Sequence, residues 1–392
     1  MCCYANAFLV SKVIMWIETI RFYNFRNISE TQINLYPGLN ILVGNNGVGK
    51  TNFIEGIYLC LSGNTFRFSE NSNLTMSGKD QSIVSIKFSG EDKNEIKLLI
   101  DKGRKTHILN SKKTTSSLIA SKFPIILFSP ESLESVKEGN SERRELIDQF
   151  LISCPDLNFL SIINEFTKVL KSKNKILKNY SDGQISKDVA VSILETYEEK
   201  YLELSTEISF KRIEGFNSIL QDLNKTVSQL IYKPTKIEIE YLISEKNAMH
   251  YSKSKIKEII KQRLCELKIA ELSVGHSLVG PHKHDVKFLL NNQDSRIYCS
   301  QGQQRALILA FKLAHLMYHT RVYGIVPILF LDDVLSELDG QTRANLVKLL
   351  NFTEGQVFIT TTDRYLCRDF TNKKQRFLLV EGGEFSFSKL EE

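Results

Sequence analysis

The sequence lacks paired cysteines and long apolar runs, and each absence excludes a class of protein. Its seven cysteines are scattered, and no two of them form a C-x-x-C pair. This argues against a zinc site and against a disulfide framework, and a reducing cytoplasm fits best. The longest apolar runs, such as residues 325–331, are much shorter than the roughly 20 residues of a membrane helix, so no membrane span is expected.

The composition is that of an ordinary globular protein. The 392 residues are 42% hydrophobic and 24% charged, without a low-complexity tract or an internal repeat. This length allows two domains, or one large domain with an insertion. The net charge of +6 permits a polyanionic partner without requiring one.

The first fourteen residues stand apart from the rest. They lack a basic leading segment and an A-x-A cleavage site, so they do not resemble a signal peptide. Strand-like alternation begins just after Met15, which favours Met15 as the start of the folded part. We expect residues 1–14 to be a dispensable or poorly ordered extension.

Two regions of mixed strands and helices flank a helical middle. Apolar residues recur every three or four positions over residues 157–180 and again over 189–208, with the turn Ser181-Asp182-Gly183 between them. This spacing predicts an antiparallel helical hairpin. A strand is predicted at residues 237–241, where apolar and charged residues alternate.

The strongest motif is a phosphate-binding loop. Residues 44–51 match G-x-x-x-x-G-K-[ST] between a predicted strand and a predicted helix. In such a loop the backbone N–H groups hold phosphate oxygens, the lysine reaches the β and γ phosphates, and the threonine binds Mg²⁺. A plain glycine turn is the alternative. The candidate ATP-binding residues here are Gly44, Asn45, Asn46, Gly47, Val48, Gly49, Lys50, Thr51 and Asn52.

Two acidic residues end the apolar strand at 328–331. Asp332 is predicted to hold Mg²⁺ together with Thr51, and Asp333 to orient or deprotonate the attacking water. Lys50 and Asp333 are therefore the candidate catalytic residues. An acidic turn after a core strand is the structural alternative.

A third motif, Ser300-Gln301-Gly302-Gln303, opens a long predicted helix. Taken alone, Ser300 would be a simple helix N-cap. The order of phosphate loop, S-x-G-Q, Asp-Asp strand and Ser336-Glu337-Leu338-Asp339 is that of ABC-type ATPases. In that class the serine-glycine segment of one subunit covers the γ-phosphate held by the other, which assigns Ser300, Gly302 and Gln303 to a shared site. The run Thr360-Thr361-Thr362 lies where transporters have a switch histidine, and Thr362 is the candidate chosen from it for the γ-phosphate or water.

The motifs together resemble the RecF family of bacterial DNA repair proteins. The matching residues are Phe25-Arg26-Asn27, Pro37 to Asn40, Asn46-Gly47, Lys50-Thr51-Asn52, Glu55, Leu127 to Glu131, Arg143-Arg144, Gly280-Pro281-His282, Ser300 to Arg305 and Asp332 to Asp339. The resemblance implies an α/β ABC-type ATPase head (a P-loop NTPase) with an inserted α-helical arm. The expected division is an extension at 1–14, head segments at 15–145 and 271–392, and a mainly helical arm at 146–270.

The resemblance also implies a function. The expected protein dimerises on ATP and Mg²⁺, binds single- and double-stranded DNA at gaps or junctions, and helps RecO and RecR load RecA. Its ATPase is expected to be slow and stimulated by DNA. The candidate DNA contacts are Lys102, Arg104, Lys105, Lys112, Lys113, Arg143 and Arg144. A solvated charged loop is the alternative for the first five, and His276, His282 and His284 are expected to form a polar loop instead of a metal site.

Three alternatives stay open at this point. An ABC transporter subunit would have a shorter separation between its motifs and a switch histidine. An SMC-like clamp would have a much longer arm or a cysteine hook. A pure switch would bind ATP without turning it over.

Overall fold

The computed structural model describes residues 13–67, 71–90, 93–133, 139–231, 235–371 and 374–387. The strands are β1 (Trp16–Phe25), β2 (Ile28–Asn34), β3 (Leu39–Val43), β4 (Gln81–Ser89), β5 (Glu95–Asp101), β6 (Arg104–Leu109), β7 (Lys112–Thr114), β8 (Ile125–Phe128), β9 (Ile237–Ile243), β10 (Lys246–Asn247), β11 (Asp285–Leu290), β12 (Gln293–Asp294), β13 (Ile328–Asp332), β14 (Val357–Thr361), β15 (Gln375–Glu381) and β16 (Glu384–Phe387). The α-helices are α1 (Lys50–Ser62), α2 (Ser116–Lys122), α3 (Pro130–Leu133), α4 (Asn140–Ser153), α5 (Phe159–Ser181), α6 (Lys187–Leu230), α7 (Lys253–Val274), α8 (Ser295–Tyr298), α9 (Gln301–Tyr323) and α10 (Gly340–Asn351). Within these ranges, none of the helices combines the length and the apolar character that a bilayer crossing requires.

The chain divides into two compact units. The first comprises residues 1–134, 225–234 and 300–392, and the second comprises residues 135–224 and 235–299. The second unit therefore starts earlier and ends later than the predicted arm at 146–270. The reason lies in its own sheet: β11 pairs with β9, and an ion pair from Arg143 to Asp285 attaches α4 to the start of β11.

The first unit contains a sheet ordered β16-β15-β3-β14-β13-β8. Neighbours from β15 to β8 run parallel, and only the edge strand β16 is antiparallel. The central strands β13 and β14 are buried along their whole length, as expected for a parallel sheet covered on both faces. Because β3 comes from the beginning of the chain and β13 to β15 from its end, both ends of the sequence build this sheet.

The same unit contains an antiparallel sheet ordered β2-β1-β4-β5-β6-β7. Its strands alternate buried and solvent-facing residues, and the buried face packs with α1 and the parallel sheet in one apolar core. At Gly56 in α1, a Cβ atom would lie 2.3 Å from the ring of Phe22, so the helix approaches this sheet too closely for a side chain. This packing fixes α1, whose first turn belongs to the phosphate loop.

The second unit contains the predicted helical hairpin, followed by a third helix. Phe166 of α5 packs on Tyr201 of α6 with 5.4 Å between ring centroids, and Leu177 shares a cluster with Ala190, so α5 and α6 run antiparallel as predicted. Helix α6 continues to Leu230, well past the predicted end near residue 208, because its buried apolar positions continue. The strand predicted at 237–241 is confirmed as part of β9.

Helix α7 was missed by the sequence analysis, and it packs against α5. Its signals were present in the sequence. The Ser252 hydroxyl accepts a hydrogen bond from the N–H of Lys255 as an N-cap, and Gly275 ends the helix in the left-handed region at φ 75°.

The predicted extension contacts the first unit through Val13. The N–H of Val13 donates to the carbonyl of Gly324 at 2.8 Å, next to a parallel bridge between Val13 and Ile325. Residues 1–12 lie outside the described residues, so their dispensability stays a prediction.

Candidate nucleotide-binding site

The phosphate loop lies between the end of β3 and the start of α1, as predicted. Gly47 and Gly49 adopt positive φ angles of 80° and 117°, a region that side-chain-bearing residues enter at a cost. At Gly44, a Cβ atom would lie 2.4 Å from the carbonyl oxygen of Val380. The glycines of the motif are therefore required by the path of the backbone.

Lys50 lies inside this loop. Its side chain is only 3% exposed, and its Nζ donates to the carbonyls of Gly44 at 2.8 Å and Asn45 at 3.0 Å. Asn45, Asn46 and Gly47 face solvent at the tip of the loop. The loop is thus folded around its ammonium group while its tip stays accessible.

Asn27 supports the loop from the first strand pair. Its Nδ2 donates to the carbonyl of Val48 at 3.2 Å, and its Oδ1 accepts from the Asn52 amide at 2.8 Å. The sequence analysis gave Asn27 no site role, because its contact with the loop depends on packing between distant segments. The Asn52 Oδ1 in turn accepts from Arg67 at 3.2 Å, which brings a further cation to the loop.

The predicted Mg²⁺ ligands are in contact. The Thr51 hydroxyl donates to Oδ1 of Asp332 at 3.1 Å, and the Thr360 hydroxyl donates to the same oxygen at 2.7 Å. The strand order β3-β14-β13 explains why Thr51, Thr360 and Asp332 meet, since parallel strands bring their carboxyl ends to one edge of the sheet. Thr360 was missed, and Thr362, the predicted hydroxyl, lies exposed just beyond β14.

Asp332 is unusually hard to ionise. It is 4% exposed, and burial raises its pKa from 3.8 to about 6. The hydrogen bond from Thr360 opposes this shift, as does the positive charge of Arg67, whereas the neighbouring Asp333 adds to it. A divalent cation would favour the ionised form of a carboxylate held in this way.

Asp333 follows at the edge of the sheet. Its φ of 50° is left-handed, and its N–H donates to the Thr360 hydroxyl at 2.8 Å. Its side chain is half-buried, in contrast to the enclosed Asp332. The two aspartates therefore occupy different environments, and their roles as metal ligand and base stay predictions.

The serine-glycine motif lies at the exposed start of α9. Ser300 is its N-cap, and Ser300 and Gln303 form a reciprocal capping box with bonds of 3.3 Å and 2.9 Å. Ser300, Gly302 and Gln303 are all exposed. Arg305 donates to the carbonyl of Glu337 at 2.6 Å, which ties this helix to the segment after Asp333.

The glutamine that many ABC-type heads use to sense Mg²⁺ could not be placed from the sequence, and it stays unassigned. Gln356 is buried, and its amide bonds the backbone of Ile17 and Tyr36 at 2.7 to 3.0 Å. That side chain holds the two sheets together from a fully buried position, so it does not reach a nucleotide.

The candidate DNA contacts separate into two groups. Lys102, Arg104, Lys112 and Lys113 are exposed on the turn after β5 and on β6 and β7. Lys105 is instead half-buried, and its Nζ donates to the carbonyl of Gly63 at 2.7 Å. Burial lowers the pKa of Lys105, so the residue is removed from the exposed set.

Arg143 and Arg144 are structural residues of the second unit. Arg143 is 2% exposed and pairs with Asp285 at 2.8 Å, and Arg144 donates to the carbonyl of His284. A buried guanidinium that is already paired cannot reach a DNA phosphate, so the assignment of Arg143 as a DNA contact is wrong. Arg144 is half-buried and is bonded to the same local structure, and its role as a DNA contact stays a prediction.

The histidines are placed differently from one another. His276 is exposed, whereas His284 is buried and its Nδ1 lies 2.9 Å from the Tyr241 hydroxyl. Burial holds the pKa of His284 well below its usual value. His282 lies beside the ring of Phe166, and burial lowers its pKa to about 4.

Comparison with known proteins decides the family. The model described as the RecF/RecN/SMC N terminal domain matches residues 16–382. The "DNA replication and repair protein RecF" of Thermoanaerobacter pseudethanolicus is 33% identical over 371 residues, which cover 91% of this chain and 96% of that protein. The RecF of Ligilactobacillus salivarius is 31% identical over 372 residues, covering 94% and 97%. This chain belongs to the RecF family.

Solved structures agree with the RecF assignment. A structure described as the "recombination mediator protein RecF-ATP in RecFOR pathway" has a TM-score of 0.84 and 30% identity, covering 97% of this chain and 99% of that one. The Smc head domain of Pyrococcus furiosus has a TM-score of 0.54 at 16% identity, which shows a shared fold alone. The predicted family and the predicted ABC-type head are both confirmed.

The raised pKa of Asp332 gives a prediction about stability. In the folded protein this carboxyl binds its proton more tightly than in the unfolded chain, so its ionisation costs stability above pH 6, and the cost fades as the pH falls toward 3.8. Asp332→Asn keeps an acceptor for both threonines. We expect this variant to be more stable than the wild type at pH 8 by up to about 3 kcal/mol, and by about half as much at pH 5.

Thermal unfolding without nucleotide or Mg²⁺, followed from pH 5 to pH 8, measures this difference. The exposed Asp80→Asn is the matched control and should follow the wild type at every pH. Equal midpoints for Asp332→Asn and wild type at pH 8 would show that burial of Asp332 carries no such cost.

Proposed function

We propose that this chain is a DNA replication and repair protein in which ATP acts mainly as a clamp between two copies. Family membership supports the general role, and two RecF structures similar to this chain are described with ATP or an ATP analogue in the RecFOR pathway. The observation that carries the ATP assignment is the contact between Thr51 and Asp332 beside the folded phosphate loop.

The residues of the loop suit a triphosphate. Its glycines give the backbone the positive φ angles with which loop N–H groups can face phosphate oxygens, and the Lys50 ammonium is already held inside the loop. Thr51 and Asp332 would hold Mg²⁺. When bound, ATP supplies a phosphoanhydride bond that water can attack. Asp333 orients that water and accepts its proton.

The exposed serine-glycine motif supports a site shared between two copies. The start of α9 presents Ser300 and Gly302 to solvent, with backbone N–H groups and the positive end of the helix dipole. Phosphate charges are costly to remove from water unless donors surround them. A second copy placing this helix end over the triphosphate supplies those donors, so ATP joins the dimer and its hydrolysis loosens it.

DNA is the proposed partner of this dimer. The exposed cations Lys102, Arg104, Lys112 and Lys113 suit phosphate contacts that do not read sequence. In keeping with the family, the dimer binds single- and double-stranded DNA at gaps or junctions, works in the cytoplasm with RecO and RecR, and helps load RecA. Its ATPase is slow and is stimulated by DNA, whereas the ATPase of a transporter subunit would not respond to DNA.

Light scattering on the wild type tests the clamp. The particle is expected to have the 44.9 kDa mass of one chain without ligand and twice that mass with ATP and Mg²⁺, with a further increase when gapped DNA is added. ADP serves as the control nucleotide and should leave the protein monomeric. A mass that is the same with and without ATP would refute the shared site.

A further inference from the structure

Helix α5 carries a row of four exposed lysines along one face. Lys168, Lys171, Lys175 and Lys178 follow one another at intervals of three, four and three residues, so they lie on one side of the helix. The buried residues Phe166, Lys173 and Leu177 lie on the other side. The row therefore faces away from the packed side of the helix.

These four cations are not neutralised by the part of the chain that is described. No ion pair joins any of them to a carboxylate there, and Glu165, near the start of the row, is already paired with Lys200 at 2.8 Å. Helix α7 in the same unit also has two exposed lysines, Lys257 and Lys261, without an ion pair among the described residues. Four of its cations do each pair with a glutamate, namely Lys253, Lys255, Arg263 and Lys268.

An unpaired row of like charges is unfavourable for the helix itself, since neighbours three or four residues apart repel. A polyanion would remove that repulsion. The first and last lysines of the row are ten residue steps apart, or about 15 Å at 1.5 Å per residue. One strand of duplex DNA presents a phosphate about every 3.4 Å along the axis, so a stretch of this length presents about four phosphates.

We propose that this lysine row binds the phosphate backbone of duplex DNA. The proposal rests on the DNA-binding function proposed above and assigns it a contact surface in the second unit. Duplex is favoured over single-stranded DNA because single strands are held by aromatic side chains that stack on bases. The aromatic residues of α5 are not on this face: Phe159 and Phe166 are buried, and Tyr180 packs against the cluster around Leu177.

The test replaces all four lysines of the row by glutamine, which has a similar helix propensity. Binding of a blunt duplex to the full-length protein with ATP and Mg²⁺ is measured by fluorescence anisotropy over a series of salt concentrations. Each lost phosphate contact should lower the slope of log K against log salt by about 0.9, so four give a decrease of up to about 3.6. Affinity at about 0.1 M salt should fall at least about tenfold.

The matched control is K253Q/K255Q/R263Q/K268Q, which removes the same four charges from the same unit. Because those cations are already paired, its slope should change by less than about one. The row variant should be as heat-stable as the wild type or more so, since it relieves repulsion, whereas the control loses ion pairs. DNA-independent ATPase activity should be unchanged in both.

Four other results would contradict the expectations for the lysine row. If the row variant keeps the wild-type slope, the lysine row does not bind DNA. If the control loses as much DNA affinity as the row variant, the loss is due to net charge and not to the lysine row, and the proposal is overturned. A larger loss for a single strand than for the duplex would overturn the duplex assignment. Failure of the wild type to bind any DNA would refute the proposed function itself.

Discussion

Replacing Asp333 by asparagine is expected to lower the rate of ATP hydrolysis by about 10²- to 10⁴-fold, the usual contribution of a positioned general base. Asn has nearly the same shape as Asp but does not accept a proton. Asn also tolerates the left-handed conformation that Asp333 adopts at φ 50°, so the turn and its hydrogen bond to Thr360 should persist. The variant should therefore lose the chemical step but keep the conformation of the nucleotide site.

Single-turnover hydrolysis and fluorescent-nucleotide binding, measured on the same samples, separate these effects. The variant should bind ATP as tightly as the wild type and should remain dimeric for longer, since the clamp is not released. Asp80→Asn, which makes the same chemical change at an exposed position outside the site, is the control and should retain most of the turnover. Equal, near-zero rates in wild type and Asp333→Asn would instead identify a switch that binds ATP without hydrolysing it.

Ser300→Arg is expected to weaken ATP-dependent dimerisation by at least about 100-fold, or about 2.7 kcal/mol. The substitution places a long cation where the proposed dimer brings the helix end against the partner's triphosphate. Each monomer keeps its own phosphate loop, so nucleotide binding to the monomer should be unchanged. Sedimentation or light scattering with ATP gives the affinity of the dimer. Nucleotide titration at low protein concentration gives the affinity of the monomer for nucleotide.

Ser300→Ala distinguishes a steric block of dimerisation from a simple loss of helix capping. Both variants lose the hydroxyl that accepts from the N–H of Gln303, which costs about 1 kcal/mol of helix stability. Only the arginine adds bulk and charge. Dimerisation should therefore be much stronger in the alanine variant, and intact dimers of Ser300→Arg would refute the shared site.

The phosphate loop could be predicted residue by residue, because its glycines, Lys50 and Thr51 are consecutive and their roles depend on local backbone conformation. Thr360 could not be chosen over Thr362 in the same way. Only the pairing of β14 with β13 shows which hydroxyl reaches Asp332.

For the basic residues, the sequence alone does not show which side chains are exposed. In the sequence, Lys105 and Arg143 are cations like Lys102 or Lys113, and nothing local distinguishes them. In the fold, Lys105 donates to the carbonyl of Gly63 and Arg143 is buried against Asp285. Burial and pairing depend on residues far apart in the chain, so an exposed charge can be told from a structural one only after folding.

The sequence by itself determined the family, the ABC-type head and the positions of the phosphate loop, the acidic strand end and the serine-glycine helix start. These features are short segments whose chemistry is complete in a few consecutive residues. Only the tertiary structure decided that Thr51, Thr360 and Asp332 meet, that burial raises the pKa of Asp332 to about 6, and which cations stay exposed. Those properties depend on distance and on exclusion of water, and both are set by contacts between segments that lie 28 to 281 residues apart in the sequence.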